Sequence, residues 1–321
     1  MMNKSLLDFE KPIVDLYNKI EELKQLSEEE GKNDMQEDIE KLKGKAEKLR
    51  ERIYANLEPI QIVQIARHPD RPTTLDYIEH VFSDFMELHG DRSFGDDKAL
   101  VGGFAKFEDE PVLIIGHQRG HNAKMNIFRN FGMPQPEGYR KALRLMQLAD
   151  KFRVPIIAFV DTMGAYPGLS SEERGVAEAI ARNLREMMGL RVPVIVVVIG
   201  EGGSGGALGI AVGNKVAMLK YSIYSVISPE GCASILWRNA SMASIAAENL
   251  GLVSERLLAL GAIDEVIDEP IGGAHSDREK VYRKMKVFVR KELKRYQGYS
   301  VEKVLDERYK RFRDLGRFSG G

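Results

Sequence analysis

At 321 residues the chain is long enough for two ordinary domains, at roughly 150 residues each, or for one elaborated domain. Hydrophobic residues make up 43% and charged residues 30%, which argues against disorder and allows a sizeable core. The 47 Lys and Arg residues against 48 Asp and Glu leave a formal net charge of −1, so the basic footprint of a nucleic-acid binder is absent. A single cysteine, Cys232, excludes an internal disulfide, and with scattered histidines it excludes a Cys-rich zinc site in this chain.

The first ten residues, Met1 to Glu10, contain no apolar h-region, and no secretory signal is expected. The longest apolar runs, Val154 to Val160 and Val192 to Ile199, are too short to span a bilayer, so a soluble cytoplasmic protein is the expectation. Ile13, Leu16, Ile20 and Leu23 are spaced 3-4-3, and Ile39, Leu42, Ala46 and Leu49 repeat the pattern, with Ile53 four residues on. With the polar breaker Glu28 to Asp34 between them, and Asp34 as a cap, they predict a helical hairpin that clasps its own main body or a second subunit.

Residues 57–100 read as mixed and loop-rich, with an amphipathic helix over Thr74 to Leu88. His68, His80 and His89 fit no metal spacing, and capping or surface roles are expected for them. Beyond residue 98 the pattern alternates between strand and helix. Leu100 to Phe107 and Val112 to Gly116 read as paired strands around Asp109-Glu110, and Tyr139 to Phe152 as a helix burying Leu143, Met146 and Ala149. The apolar runs at 154–160 and 192–199 have the texture of strands buried on both faces. A helix over Gly175 to Met188, another starting near Gly205, strands at 215–219 and 222–227, a helix over 233–260 and a short strand at 265–267 complete an α/β core. Arg278 to Tyr296 reads as a basic amphipathic helix with Val281, Met285, Phe288 and Val289 inward.

Two segments where buried strands meet helices have unusual composition: Asp161-Thr162-Met163-Gly164-Ala165-Tyr166-Pro167-Gly168 and Gly200-Glu201-Gly202-Gly203-Ser204-Gly205-Gly206-Ala207. Runs of glycine let a ligand touch the backbone, and amides at a helix start suit an oxyanion. The dinucleotide fingerprint fits the second segment literally, but no acid occurs between Glu201 and Glu230 to take a ribose hydroxyl. The P-loop fails because no Gly-Lys-Ser/Thr follows. A nucleophile elbow at Gly202-x-Ser204-x-Gly206 remains an alternative, making a serine hydrolase of Ser204 with Asp264 or Asp268 and His275. Glycine at four of the five positions around the serine favours backbone binding over side-chain attack.

These segments, with Asn130 to Pro134, Pro136 to Ala142, His89 to Arg92 and Ser228 to Ala233, closely resemble one family, the α subunits of bacterial acetyl-CoA carboxylase carboxyltransferase. The similarity covers nearly the whole chain; Met163 stands where relatives usually carry proline. The resemblance implies an α/β fold of crotonase-like (ClpP/crotonase) type, a spiral of ββα units, arranged as an N-terminal hairpin (1–56), a carboxyltransferase domain (57–275) and a helical extension (276–321). It further implies an α₂β₂ enzyme moving a carboxyl group from carboxybiotin to acetyl-CoA, the first committed step of fatty acid synthesis. Carboxybiotin would arrive on a biotin carboxyl carrier protein loaded by a biotin carboxylase, and the β subunit would carry the zinc ribbon, leaving no metal here. The released biotin nitrogen can take the acetyl proton, so no protein base is required. On this reading the N–H groups of Gly205 and Gly206 are the oxyanion donors. Gly164, Ala165, Gly202, Gly203 and Ser204 shape the binding pocket. Gly209 and Gly213 permit packing inside the helix that follows, and Cys232 is a core thiol. Arg119, Lys124 and Arg129 face either an anionic cofactor or the β subunit.

Overall fold

The computed structural model describes residues 7–30 and 36–316. The first six residues and most of the polar breaker, with the Asp34 cap, fall outside that range. Among the described residues, helices α1 (Lys11–Glu30) and α2 (Gln36–Tyr54) form the expected hairpin, with Ile20, Ile39 and Ala46 buried between them and Leu16, Leu23 and Leu42 around them. Its root packs on the chain's own body. Tyr54 meets Tyr221 edge-on at 5.9 Å, Ile13 and Ile65 join them, and the Arg50 guanidinium donates to the Ile271 carbonyl.

After α3 (Pro59–Ala66) and α4 (Thr74–Val81), the helix expected over Thr74 to Leu88 stops early, and β1 (Ser83–Glu87) takes its second half. Phe82 is already extended and Asp84 has φ 53°, so the helix cannot continue. Met86 and Glu87 instead pair with Phe104 and Gly103 of β2 (Leu100–Phe107), where a Cβ on Gly103 would collide with the Met86 carbonyl.

The remaining strands are β3 (Glu110–His117), β4 (Ile156–Thr162), β5 (Val194–Gly203), β6 (Lys215–Leu219), β7 (Ile223–Ser225) and β8 (Glu265–Ile267). The sheet order is β1-β2-β3-β4-β5-β6-β8, with β7 pairing the far end of β5; β1, β2 and β3 are antiparallel and the rest parallel. Between them come α5 (Ala123–Phe128), α6 (Pro136–Phe152), α7 (Leu169–Glu173), α8 (Val176–Met188) and α9 (Ser204–Leu208). Then follow α10 (Pro229–Trp237), α11 (Ala243–Leu250), α12 (Ser254–Ala259), α13 (Arg278–Tyr296) and α14 (Val301–Arg313). Two strands followed by a helix recur in β2-β3-α5 and β6-β7-α10.

The central strands are apolar throughout because both faces are covered. Ile114, Ile157, Phe159, Ile195 and Val197 face Tyr77 of α4 and Val281, Met285, Phe288 and Val289 of α13. Their sequence neighbours Leu113, Ile156, Ala158, Val194 and Val196 face Ala142, Leu145, Met146 and Ala149 of α6. Each such large side chain contributes about 1.5–3 kcal/mol on burial.

Three further element bounds differ from those expected. The helix read over 233–260 is α10, α11 and α12, separated by left-handed residues at Arg238 (φ 53°) and Gly251 (φ 62°). The strand read over 222–227 shrinks to β7. The helix read from Gly205 through Gly213 ends at Leu208, leaving Gly209 as its C-cap and Gly213 outside it. Both glycines are still packing residues: a Cβ on Gly209 would sit 2.6 Å from the Tyr139 ring, and one on Gly213 2.9 Å from the Val194 carbonyl.

The C-terminal helices are tied down by a charge with no sequence signature. Arg308 of α14 is wholly buried, and its guanidinium donates to the carbonyls of Met187, Leu190 and Val192 at 2.9, 2.6 and 2.7 Å. Met187 lies in the last turn of α8, and Leu190 and Val192 lie in the connection to β5, so one side chain of α14 pins that whole connection.

Candidate functional site

β4 and β5 are parallel neighbours, so their C-terminal ends place the two glycine segments side by side. The second segment is not a loop throughout. β5 runs on to Gly203, with Gly202 in register with Thr162 on one side and Tyr224 of β7 on the other. Strand pairing can continue because these positions have no side chain: a Cβ on Gly203 would strike the Met163 carbonyl, and one on Gly202 would lie 2.7 Å from the Tyr224 ring.

Ser204 then turns the chain at φ 51° into α9, whose first turn holds Gly205 and Gly206. Amides in a first turn have no acceptor within their own helix. The two glycines differ in surroundings. A Cβ on Gly205 would meet nothing closer than Ile180 at 3.8 Å, whereas one on Gly206 would overlap the Gly164 carbonyl carbon and the Ala165 nitrogen. Gly164 and Ala165 therefore wall the α9 turn backbone to backbone. With five residues α9 supplies little macrodipole, so any anion held there depends on direct N–H donation.

Behind the turn, Tyr139 donates its hydroxyl to the Gly206 carbonyl at 3.1 Å, and the Asn183 amide donates to the carbonyls of Tyr139 (3.0 Å) and Gly209 (2.9 Å). His117, fully buried, accepts the Asp161 N–H at Nδ1 (3.4 Å), which leaves its proton on Nε2. Burial pushes its pKa down to about 3, against the pull of the Gly206 carbonyl, so the imidazole is neutral. The unfolded chain binds a proton below about 6.5 and the folded one does not until about 3, so this group costs stability as pH falls through that window. His117→Gln is expected to flatten the acid limb of a stability–pH curve between pH 6.5 and 4 by about 1.4 kcal/mol per pH unit, read by urea unfolding. An unchanged slope would contradict a neutral buried His117.

Beneath β4 and β5 lies a chain of charges. Asp161 and Glu201 interrupt apolar strands, and Arg119 reaches both, at 3.2 and 2.8 Å. The Glu201 N–H also donates to Asp161 at 2.9 Å. Arg67 bonds Glu201 at 2.9 Å and, farther out, Glu230 at 2.8 Å. Burial works to raise the Glu201 carboxyl, but Arg119 and Arg67 outweigh it and hold Glu201 below the usual carboxylate range. Arg67 and Glu230, with Met163, Ser204, Val226, Ile227 and Ser228, line an open cavity of about 790 Å³ at the mouth of the α9 turn.

The charge network corrects the reading of Arg119, which is engaged by buried carboxylates rather than turned to a ligand or partner. Arg129 donates to the Lys98 carbonyl at 3.0 Å, and Lys124 lies exposed on α5. Cys232 is half-buried in the first turn of α10, not a core thiol, because that end of the helix borders the cavity. His68 is buried and stacked on His275 at 3.7 Å, not at the surface. Arg67, Tyr139, Asn183 and His117 were not legible as site residues. The signal available was Asp161 and Glu201, since charges inside apolar runs demand buried partners.

No hydrolase triad assembles. His275 lies against His68, Asp264 accepts the Val216 N–H (2.6 Å) and the Arg311 guanidinium (2.9 Å), and Asp268 faces Lys284 at 3.5 Å. Ser204 shares its cavity with no histidine among the described residues. Its strained turn resembles an elbow, but no base accompanies it. Among the described residues no group of three or more His, Cys, Asp or Glu side chains is placed to hold a metal, and no helix is long and apolar enough to cross a membrane.

The architecture recurs in carboxyltransferases of crotonase-like fold. The transcarboxylase 12S structure with methylmalonyl-coenzyme A and methylmalonic acid bound superposes with a TM-score of 0.53 at 21% identity over 68% of this chain and 42% of that one. The β subunit of P. aeruginosa geranyl-CoA carboxylase gives 0.54 at 16% identity over 78% of this chain and 44% of that one. This chain thus spans less than half of each of those longer chains. Residues 6–316 match the family described as acetyl co-enzyme A carboxylase carboxyltransferase-like, and the chain belongs to it. It is 56% identical to the acetyl-coenzyme A carboxylase carboxyl transferase subunit alpha of Geobacter metallireducens, over 99% of this chain and 100% of that protein. The family membership removes the serine-hydrolase alternative.

Proposed function

We propose that this chain supplies the α half of a carboxyltransferase site, where a carboxyl group passes from a biotin-linked donor to acetyl-CoA to give malonyl-CoA. A β subunit completes the site, a carrier protein delivers the biotin and a biotin carboxylase loads it, all in the cytoplasm. Residues 1–56, 57–275 and 276–321 act as hairpin, catalytic body and helical extension. Bound carboxybiotin supplies the activated carboxyl group.

The chain's own contribution is electrostatic. The Gly205 and Gly206 amides donate to an oxygen that gains negative charge, and preorganised donors of this kind are worth about 3 kcal/mol each. Gly164 and Ala165 fix the α9 turn from outside, and Tyr139 and Asn183 hold it from behind. Ser204 lines the cavity, and Gly202 and Gly203 carry β5 up to the turn that presents those amides. The supporting observation is the direct backbone contact of the two glycine segments at the mouth of that cavity.

The test is reconstitution. The chain with a β subunit and free carboxybiotin should form malonyl-CoA from acetyl-CoA, and the chain alone should form none; full activity of the isolated chain would overturn the half-site reading. In the same assay Ser204→Gly, which relieves the left-handed backbone and removes the hydroxyl, should keep kcat/KM within roughly three-fold. A collapse in rate would restore a chemical role to that hydroxyl.

A further inference from the structure

At the opposite end of the sheet, a second cavity of about 460 Å³ opens between the starts of β3, β4 and β5 and the α13–α14 connection. Its floor is apolar. Val112, Val192 and Val304 are buried there, with Pro111 near the start of β3 and Pro155 and Pro193 just before β4 and β5. Proline has no N–H to offer a ligand. The Pro155 and Pro193 carbonyls already accept the Leu113 and Ile156 amides, at 2.9 Å each. Polar recognition therefore falls to side chains on the rim.

Half of the charged ones are committed. Arg290 pairs with Glu108 at 3.0 Å, and Arg191 with Asp150 at 2.7 Å. Arg153, Lys294 and Glu110 make no side-chain hydrogen bond or ion pair among the described residues. With those two pairs set aside, two uncommitted rim cations face one uncommitted carboxylate, which leaves one positive charge unmatched. Arg153 is held at φ 60° by its N–H bonds to the Ala149 and Asp150 carbonyls, an uncommon backbone state for a side-chain-bearing residue. Tyr299 on the wall is fixed by the Lys303 ammonium, 3.5 Å from its ring centre.

We propose that this cavity is a binding site for a small organic monocarboxylate, its one- or two-ring apolar body on the proline–valine floor and its carboxylate at Arg153 and Lys294. The volume lies within the range of small-molecule sites, about 300–1,000 Å³. A single unmatched charge selects a monoanion: a phosphate dianion would leave surplus negative charge beside Glu110. The site touches Val192 and Pro193, which lead into the strand that ends at the glycine turn.

Titration calorimetry of the full chain assembled with its β subunit tests this with 2-naphthoate, its neutral counterpart 2-naphthalenemethanol and 2-naphthyl phosphate. Naphthoate should bind at one site per chain, about ten-fold more tightly than the alcohol and more tightly than the phosphate. The exposed charge reversal Arg153→Glu with Lys294→Glu should erase the preference for the anion, and Val301→Trp, which fills the cavity, should abolish binding of both without lowering the melting temperature. Equal affinity for the alcohol, tighter binding of the phosphate, indifference to both variants, or no naphthoate binding at millimolar concentration would each overturn the assignment.

Discussion

Gly206→Ala is expected to lower carboxyl transfer by a factor of about 10² to 10³ while Gly205→Ala leaves the fold unchanged and costs less than about ten-fold. The contrast follows from what a methyl group meets at each position. At Gly206 it would enter the Gly164 and Ala165 backbone, which belongs to a neighbouring strand end and cannot swing aside as a side chain could. The α9 turn must move away, carrying its amides off the oxyanion position. At Gly205 the nearest atoms are the Ile180 methyls at 3.8 Å, an ordinary contact. Steady-state kinetics on the reconstituted enzyme decide the matter: loss at Gly206 should fall on kcat, since it removes stabilisation developed in the transition state. Equal tolerance of both substitutions would mean that the packing of the glycine segments does not set the rate.

Arg119→Met is expected to destabilise the chain by about 3–5 kcal/mol, the cost of leaving buried carboxylates without their cation. Arg119 is the group that Asp161 and Glu201 share, at 3.2 and 2.8 Å, and those carboxylates are 8% and 5% exposed. Removing it leaves Glu201 with Arg67 and brings Asp161 close to a second carboxylate with nothing between them. Burial already raises the Asp161 carboxyl in the parent, and without Arg119 both carboxyls should protonate more readily still, so the variant should recover more stability than the parent as pH falls toward 5. Urea unfolding at pH 8 and pH 5 reads both effects. A loss below about 1 kcal/mol at pH 8 would place the network at the surface in energetic terms.

The apolar runs revealed the parallel core because strands covered on both faces need no polar alternation, and the hairpin stripes and the α13 face were legible from the three- and four-residue spacing of a one-sided helix. The second halves of long helical readings failed. Period alone did not register the left-handed residues at Asp84, Arg238 and Gly251, which stop helices where composition does not. Glycine was read as loop and helix start, yet β5 uses Gly202 and Gly203 as strand, since a strand may approach its neighbours that closely only without Cβ atoms. The glycine segments themselves were legible as a site. Their support was not: Arg67, Tyr139, Asn183 and His117 come from four distant stretches, and only the fold gathers them around one turn.

The most direct measurement is a crystal structure of this chain with its β subunit and a non-transferable carboxybiotin analogue. The Gly205 and Gly206 nitrogens should lie about 2.7–3.1 Å from an oxygen of the analogue or of the acetyl thioester. If both nitrogens were beyond hydrogen-bond distance from every substrate oxygen, with the oxyanion held by other groups, the account of this chain as the donor half of the site would be contradicted.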